Sequence, residues 1–382
     1  MLFCAIPAYI RPKSAALSQA AQDKIGRLVM AQEAASAPAP QPSLGPAIAN
    51  SPQPRPYGHS HSPRHTYGAL DLGTNNCRLL IARPNNGAFT VVDAFSRIVR
   101  LGEGLSRTGR LSDEAMDRAV AALAICGDKL RRRNVSLSRS VATEACRRAA
   151  NGRKFIDRVR QETGIALEII EPQEEARLAM LGCHKLLEPG DGPALIFDIG
   201  GGSTELVLIE QTGIGPQIRS WWSAPWGVVS LTESEGREAI DGSERVAAYR
   251  RMRERVRRSF DQFESTLPRE RREIRLLGTS GTVTTLASVH LALPSYDRRA
   301  VDGLHVPIDA MRTISGMIAE MDYEERSNLP CIGPERADLV VAGCAILEAI
   351  LEIWPAKNLG VADRGIREGI LRSLMAQDGY KL

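Results

Sequence analysis

The chain has 382 residues, 43% hydrophobic and 25% charged, the composition of a soluble globular protein with room for two sizeable cores. No apolar run approaches the roughly 18 residues of a spanning helix, so no membrane partner is expected. The net charge is +4, but residues 1–66 carry six Lys/Arg against two acids and the remainder balances at 43 against 43, so no nucleic-acid-binding face is demanded.

In chain order, the first 65 residues read as a disordered tail. Ten of the 22 prolines fall in residues 1–66, in runs such as "APAPQPSLGPAIANSPQPRP", which bury too little apolar surface to order themselves. The start "MLFCAIPAYIRPK" lacks a basic n-region before its apolar residues, which argues against a secretory signal, and Met30 is an alternative initiator. His59, His61 and His65 lie in this stretch and read as bystanders rather than metal ligands. Seven scattered cysteines without C-x-x-C or paired Cys/His spacing fit free thiols in a reducing cytoplasm.

Order begins with "LDLGTNNCRLLIA" at 70–82: a strand ending in an acid, a turn of small polar residues and a second strand. Further strand follows in "AFTVVDAFSRIVRLGEG", then a helix capped by Ser112. A strand ending near Thr143 leads into helix closed by Gly164, and "IALEIIEPQEEARLAMLGCHKLL" repeats strand then helix. The second half opens with "FDIGGGSTELVLI" at 197–209 and passes through "WWSAPWGVVSLTE" into an arginine-rich helix from Ser243 to about Leu267. Its interspersed acids read as a solvated face rather than a polyanion site. After that come a strand, turn and helix in "IRLLGTSGTVTTLASVHL", helices near 307–321 and 334–354, and a closing strand and helix in "LGVADRGIREGILRSLM". Alternating strands and helices predict an α/β fold.

The two hairpins are related. Aligning Asp71 with Asp198 superimposes Gly73 on Gly200, Asn76 on Ser203 and Leu79 on Leu206, an offset of 127 residues. Glycine lets backbone N–H groups approach a bound group, and such concave turns suit anions. A repeated D-x-G-x-x-[NS] framework therefore points to two loops facing one anionic ligand. Taken alone, Asp71 and Asp198 could merely cap their own turns. The "GTSGT" turn at 278–282 reads either as a phosphate or nucleotide edge or as strand-to-helix packing.

With these stretches, "VATEACRRAANGRKF", "IIEPQEEARLAMLG", "LPCIGPERADLVVAGCAILEAI" and "ADRGIREGIL", all in order across about 67–375, the chain resembles the exopolyphosphatase/guanosine pentaphosphate phosphatase family. The resemblance implies two actin-like, ribonuclease H-like domains, at 66–190 and 191–382, with an interdomain cleft, the closing helix packing back on the first. It implies a first phosphate loop at Gly73, Thr74, Asn75 and Asn76, where Thr74 keeps a hydroxyl and Asn76 replaces one by an amide. The second loop, Gly200, Gly201, Gly202, Ser203 and Thr204, is unaltered. Asp198 and Glu205, with Asp71, match the acids that hold Mg²⁺ or Mn²⁺. Arg147 matches the arginine that reaches the phosphate chain, and Glu175 the catalytic base; both are expected to be catalytic. Without the resemblance, Glu174 and Glu175 would be ordinary first-turn acids favoured by the helix dipole.

Such residues suit phosphoanhydride hydrolysis, in which charge on the terminal phosphoryl oxygens is neutralised while water is aligned for in-line attack. The implied substrate is inorganic polyphosphate or guanosine pentaphosphate, which the sequence does not separate, and the resemblance admits a homodimer. A phosphotransferase acting toward ADP is a third option, although no G-x-x-x-x-G-K-[ST] loop is present. A binder without turnover would lack the base, and Glu175 is present. Longer members add a C-terminal histidine–aspartate domain; this chain has three histidines beyond the tail and no His-Asp pair among them. That domain is therefore not expected, and a preference for shorter polyphosphate is.

Overall fold

The computed structural model describes residues 65–190, 192–212, 215–235, 242–267 and 275–381. The expectation of a disordered 1–65 therefore lies, apart from His65, outside the described residues. The strands are β1 (Tyr67–Leu72), β2 (Asn76–Asn85), β3 (Ala88–Ile98), β4 (Leu137–Ala142), β5 (Leu167–Ile169), β6 (Pro193–Ile199), β7 (Thr204–Thr212), β8 (Gly215–Ala224), β9 (Arg275–Thr279), β10 (His305–Pro307) and β11 (Asn358–Ala362). The principal helices are α1 (Asp113–Arg132), α2 (Glu144–Arg148), α3 (Gly152–Thr163), α4 (Pro172–Cys183), α5 (Val228–Glu235), α6 (Gly242–Ser259), α7 (Gly281–His290), α8 (Ile308–Glu320), α9 (Val340–Ile353) and α10 (Ile366–Gln377).

The sequence repeat becomes a repeat of topology. The first sheet runs β3-β2-β1-β4-β5 and the second β10-β11-β9-β6-β7-β8. Each is an antiparallel three-strand meander joined in parallel to two further strands, and β10 adds an antiparallel edge to the second. Even the irregularities correspond: the ladder slips between Ile81 and Ala82 in one copy and between Leu208 and Ile209 in the other, again 127 residues apart. This doubled α/β architecture is the one the sequence predicts. The helix expected from Ser243 to Leu267 is broken at Ser259, followed by a single turn at Asp261–Glu264. Its arginines are taken up locally, for instance Arg251 by Glu235 and Glu244 and Arg257 by Asp261 and Glu264.

Strand periodicity decides what faces what. In β1, Leu70 and Leu72 pack with Leu123, Phe155 and Val159 of α1 and α3 on one face. Tyr67 and Ala69 face the other way, onto Leu178 of α4 and Ile370 and Leu374 of α10. In β6, Ala194 and Ile196 pack against Ala176, Met180 and Cys183, also of α4. Helix α4 is thus sandwiched between the two sheets, and the alternation that turns residues 67, 69, 194 and 196 toward it turns Asp71 and Asp198 toward it as well. The helices α4 and α10 approach so closely that a Cβ at Gly369 would lie 2.0 Å from the Leu178 carbonyl oxygen, and one at Gly182 equally close to that of Gly365. Among the described residues no helix is long and apolar enough to cross a membrane.

Candidate active site

A cavity of about 680 Å³ lies where the ends of β1 and β6 meet the start of α4. Its wall holds Asp71, Asp198, Glu205, Glu175, Gly73 to Asn76 and Gly200 to Ser203. One predicted loop residue is displaced from it: Thr204 is fully buried and its hydroxyl donates to the Trp226 carbonyl at 2.7 Å, so it supports the loop from below rather than facing a ligand.

Both loops are held from behind by their carbonyls. In the first, the Thr74 oxygen accepts from Gly102 N–H at 2.9 Å and the Asn75 oxygen from Val99 and Arg100 at 2.9 and 3.0 Å. In the second, the Gly200 and Gly201 oxygens accept from Val228 and Val229 at 3.0 and 2.8 Å. The N–H groups of Thr74, Asn75, Gly201, Gly202 and Ser203 make no backbone hydrogen bond among the described residues, so each loop keeps unsatisfied donors of the kind that cradle anions. The loops also touch: a Cβ at Gly202 would meet Thr74 Oγ1 at 2.6 Å and Glu144 Cγ at 2.9 Å.

The hairpins differ in one telling position. Asp198 pairs in register with Glu205 across β6 and β7, whereas Asp71 pairs with Arg78 across β1 and β2. One copy presents two carboxylates and the other a carboxylate and a guanidinium. Burial pushes Asp198 up to about 6, and burial with the neighbouring Asp198 charge pushes Glu205 up to about 7 against the pull of the Ser203 and Ser223 hydroxyls, which donate to it at 2.7 and 2.9 Å. Asp71 is also raised by burial, opposed by Arg78 and Arg367. Its Oδ1 is buried with no hydrogen-bond partner among the described residues, an acceptor in want of a donor or a cation.

These hard oxygen donors, an orphaned acceptor and more negative charge than burial tolerates suit a divalent cation. Among the described residues no three such side chains converge closely enough to hold an ion by themselves, so Asp198 and Glu205, with Asp71, would supply only part of its shell. Two sheets contribute them, and the span between the sheets is left for waters and ligand oxygens to complete, as a small octahedral cation prefers.

Adjacent glutamates of α4 meet opposite fates. Glu174 turns outward to Arg139 and Arg177 at 2.6 and 2.7 Å, and hydrogen bonds to Arg177 and Arg139 hold it below the usual carboxylate range despite partial burial. Glu175 turns into the cavity, 6% exposed, and burial followed by the charge of Glu205 raises it well above that range. Arg147, expected to reach the ligand, is instead absent from the cavity wall. Its guanidinium lies behind Glu175, bonded to Glu175 at 3.3 Å, Glu144 at 2.5 Å and the Ile170 carbonyl at 2.6 Å. There it holds the Glu175 carboxylate in place rather than offering a free charge.

Sequence reasoning missed the arginines that do line the wall: Arg78, Arg97, Arg298, Arg336, Arg364 and Arg367. The repeat held the signal for Arg78, which the 127-residue offset places on Glu205. Arg364 and Arg367 sit in "ADRGIREGIL", where Asp302 and Glu368 organise the turn: Arg364 Nε bonds Asp302 at 2.8 Å and Gly365 N–H donates to Glu368 at 2.9 Å. Arg298 and Arg336 carry no local signal. The "GTSGT" turn also joins the wall, Thr279 to Thr282 lining it, with Ser280 at φ 114°.

A family model described as the Ppx/GppA phosphatase family matches residues 80–378. Exopolyphosphatase 2 of Mycobacterium tuberculosis is 32% identical over 319 residues, spanning 80% of this chain and 97% of that protein. The crystal structure of the Aquifex aeolicus member of the Ppx/GppA family matches with a TM-score of 0.68 at 30% identity, over 83% of this chain and 100% of that one. An exopolyphosphatase from Cytophaga hutchinsonii, 24% identical, shares the fold with a TM-score of 0.73 over 82% of this chain and 98% of its own. On a family match across most of its length and a shared two-sheet fold, the chain belongs to the Ppx/GppA phosphatase family of hydrolases.

Proposed function

We propose that the chain is an exopolyphosphatase that hydrolyses the terminal phosphoanhydride of inorganic polyphosphate and releases orthophosphate in the cytoplasm. The observation that carries this reading is Glu175, a buried carboxylate sharing one cavity with two amide-rich loops and a set of carboxylates and arginines. In it, the free N–H groups of Gly201, Gly202 and Ser203, with those of Thr74 and Asn75, hold the terminal phosphoryl oxygens. Arg78 and Arg367 balance charge along the chain. Glu175 orients the attacking water and accepts its proton, an assignment helped by a basicity raised through burial. Arg147 and the Ile170 carbonyl hold that carboxylate in place. Asp198 and Glu205, with Asp71 nearby, are the residues to hold Mg²⁺ or Mn²⁺, which when bound neutralises the phosphate oxygens.

Guanosine pentaphosphate is the second reading, and Tyr296 favours it. This aromatic residue stands in the wall 41% exposed, beside Arg298 and Arg336, a stacking surface that a bare phosphate chain does not need. Phosphate release from defined-length polyphosphate and from guanosine pentaphosphate, with Mg²⁺, tests both. Glu175→Ala is expected to lose about a hundredfold or more, the scale of a general base. Tight binding without release by the unaltered protein would sink the hydrolytic reading.

A further inference from the structure

The second phosphate loop is held by a feature that lies off the phosphate-binding motif itself. Three successive glycines, Gly200 to Gly202, have no side chains with which to fix their peptide planes, and such a turn would sample many orientations when left alone. Here the planes are fixed by the segment 227–230, which ends β8's return and begins α5. The first N–H groups of α5, left without intrahelical partners, donate to the carbonyls of the loop: Val228 to Gly200 at 3.0 Å and Val229 to Gly201 at 2.8 Å. Ser230, 5% exposed, completes the set. Its Oγ accepts from Gly227 N–H at 2.9 Å and shares its one proton between the Gly202 carbonyl at 3.2 Å and the Gly227 carbonyl at 3.3 Å.

A peptide plane whose carbonyl points one way has its N–H pointing the other. Three consecutive carbonyls drawn down onto 227–230 therefore turn the N–H groups of Gly201, Gly202 and Ser203 up and away from it, and these are the donors left unpaired at the cavity. Gly227 is part of the same fit: a Cβ there would lie 2.4 Å from the Gly201 carbonyl carbon and 2.5 Å from Gly202 N. Its requirement is therefore steric, since no positive φ is recorded for it.

We infer that Ser230, seated on the bare Gly227 backbone, is the positioning residue of this phosphate loop, turning its amides to the phosphoryl group without touching the ligand. Resting on the hydrolase reading above, this assigns the loop's donor geometry to a segment outside the loop. Of the three loop carbonyls the Ser230 hydroxyl reaches only the third, so the backbone N–H contacts of residues 228–230 to the first two survive its removal, and the loop loosens rather than collapses.

The test compares Ser230→Ala and Ser230→Thr with the unaltered protein in phosphate release and in inhibition by inorganic phosphate. Release by the unaltered protein comes first, since its absence would reject the hydrolase reading itself and not this one. Given release, Ser230→Ala is expected to lower kcat/KM and weaken phosphate inhibition by a similar factor, roughly tenfold to a hundredfold, the scale of a misplaced binding group. Ser230→Thr, which keeps the hydroxyl, is expected to recover most of both. A Ser230→Ala protein with a lowered thermal midpoint but unchanged kcat/KM and phosphate inhibition would overturn the inference, leaving a merely structural serine. So would a loss of kcat/KM with phosphate inhibition intact, because the same donors hold phosphate in the product complex.

Discussion

Glu174 and Glu175 have the same chemistry one peptide bond apart, and only their surroundings distinguish them. Helix geometry sends one to Arg139 and Arg177 and the other into a cavity already holding Asp71, Asp198 and Glu205. In that crowd, protonation is the cheap escape from buried negative charge, and a cation is the alternative. Two opposite pH trends should follow. Carboxylates must be ionised to hold a cation, so phosphate release at subsaturating Mg²⁺ is expected to fall as pH drops through about 7 and then about 6, the values for Glu205 and Asp198. Raising Mg²⁺ should move that limb to lower pH. Stability of the metal-free protein should run the other way. Folded values above the ordinary 3.8 and 4.5 mean that the folded chain holds protons the unfolded chain releases. That contribution is complete below the ordinary values and disappears as pH rises through 6 and 7. Thermal midpoints between pH 6 and 8 should therefore decline less steeply in Glu205→Gln, and an equal slope would refute the assignment. Spacing in the sequence could show which acids come as a repeated pair. It could not show that Arg147 stands behind Glu175, because a guanidinium's reach depends on the rotamer and on Glu144 beside it.

At the scale of elements, the hairpins were legible because glycine and acid recur at a fixed offset, and α4 because Pro172 and the following acids mark a helix start. Strand β8 and helix α5 were not marked as such. The aromatic and small residues of "WWSAPWGVVSLTE" carry neither clean alternation nor a helical period, and pairing with β7 settles the strand. The closing helix was legible as a helix and the resemblance laid it on the first domain, but periodicity gives a face and not a neighbour, so the helix it meets was not named. That helix is α4, and the contact is backbone against backbone at Gly369. Gly369→Ala is accordingly a sharp test. A solvent-exposed Gly to Ala change in a helix gains about 1 kcal/mol, but here the new methyl meets the Leu178 oxygen at 2.0 Å and its carbon at 2.8 Å. Overpacking of this kind costs about 1–3 kcal/mol or more, and rigid backbone on the other side puts this site at the upper end. Urea unfolding should show a net loss of about 2 kcal/mol, with phosphate release reduced because Glu175 rides on the helix that moves. A gain in stability would mean that the two helices are free to separate.

Over the whole molecule, the cavity exists only where two sheets meet, so whatever ties them together sets its width. The segment after β3 supplies two ties. Gly104 N–H donates to Glu233 of α5 at 2.7 Å, and Arg100 reaches Asp338 at 3.3 Å and the Glu335 carbonyl at 3.5 Å, just before α9. With Val99, Arg100 also holds through its N–H the Asn75 carbonyl of the first hairpin loop, and it does so at φ 47°, a conformation costly for a side chain with a Cβ. One residue thus couples the first loop to the far wall of the cavity. Arg100→Gly separates its two roles, since glycine keeps the left-handed backbone without strain and removes only the guanidinium. The half-exposed ion pair is worth about 0.5–1 kcal/mol, so KM for polyphosphate should rise roughly two- to fivefold while kcat stays within about twofold. The thermal midpoint should not fall, because relief of backbone strain offsets the lost pair. High salt, which screens the pair in the unaltered protein, should bring the two KM values together. An unchanged KM at low salt would show that the sheets are held together without Arg100, and the tie would then belong to Gly104 and Glu233 alone.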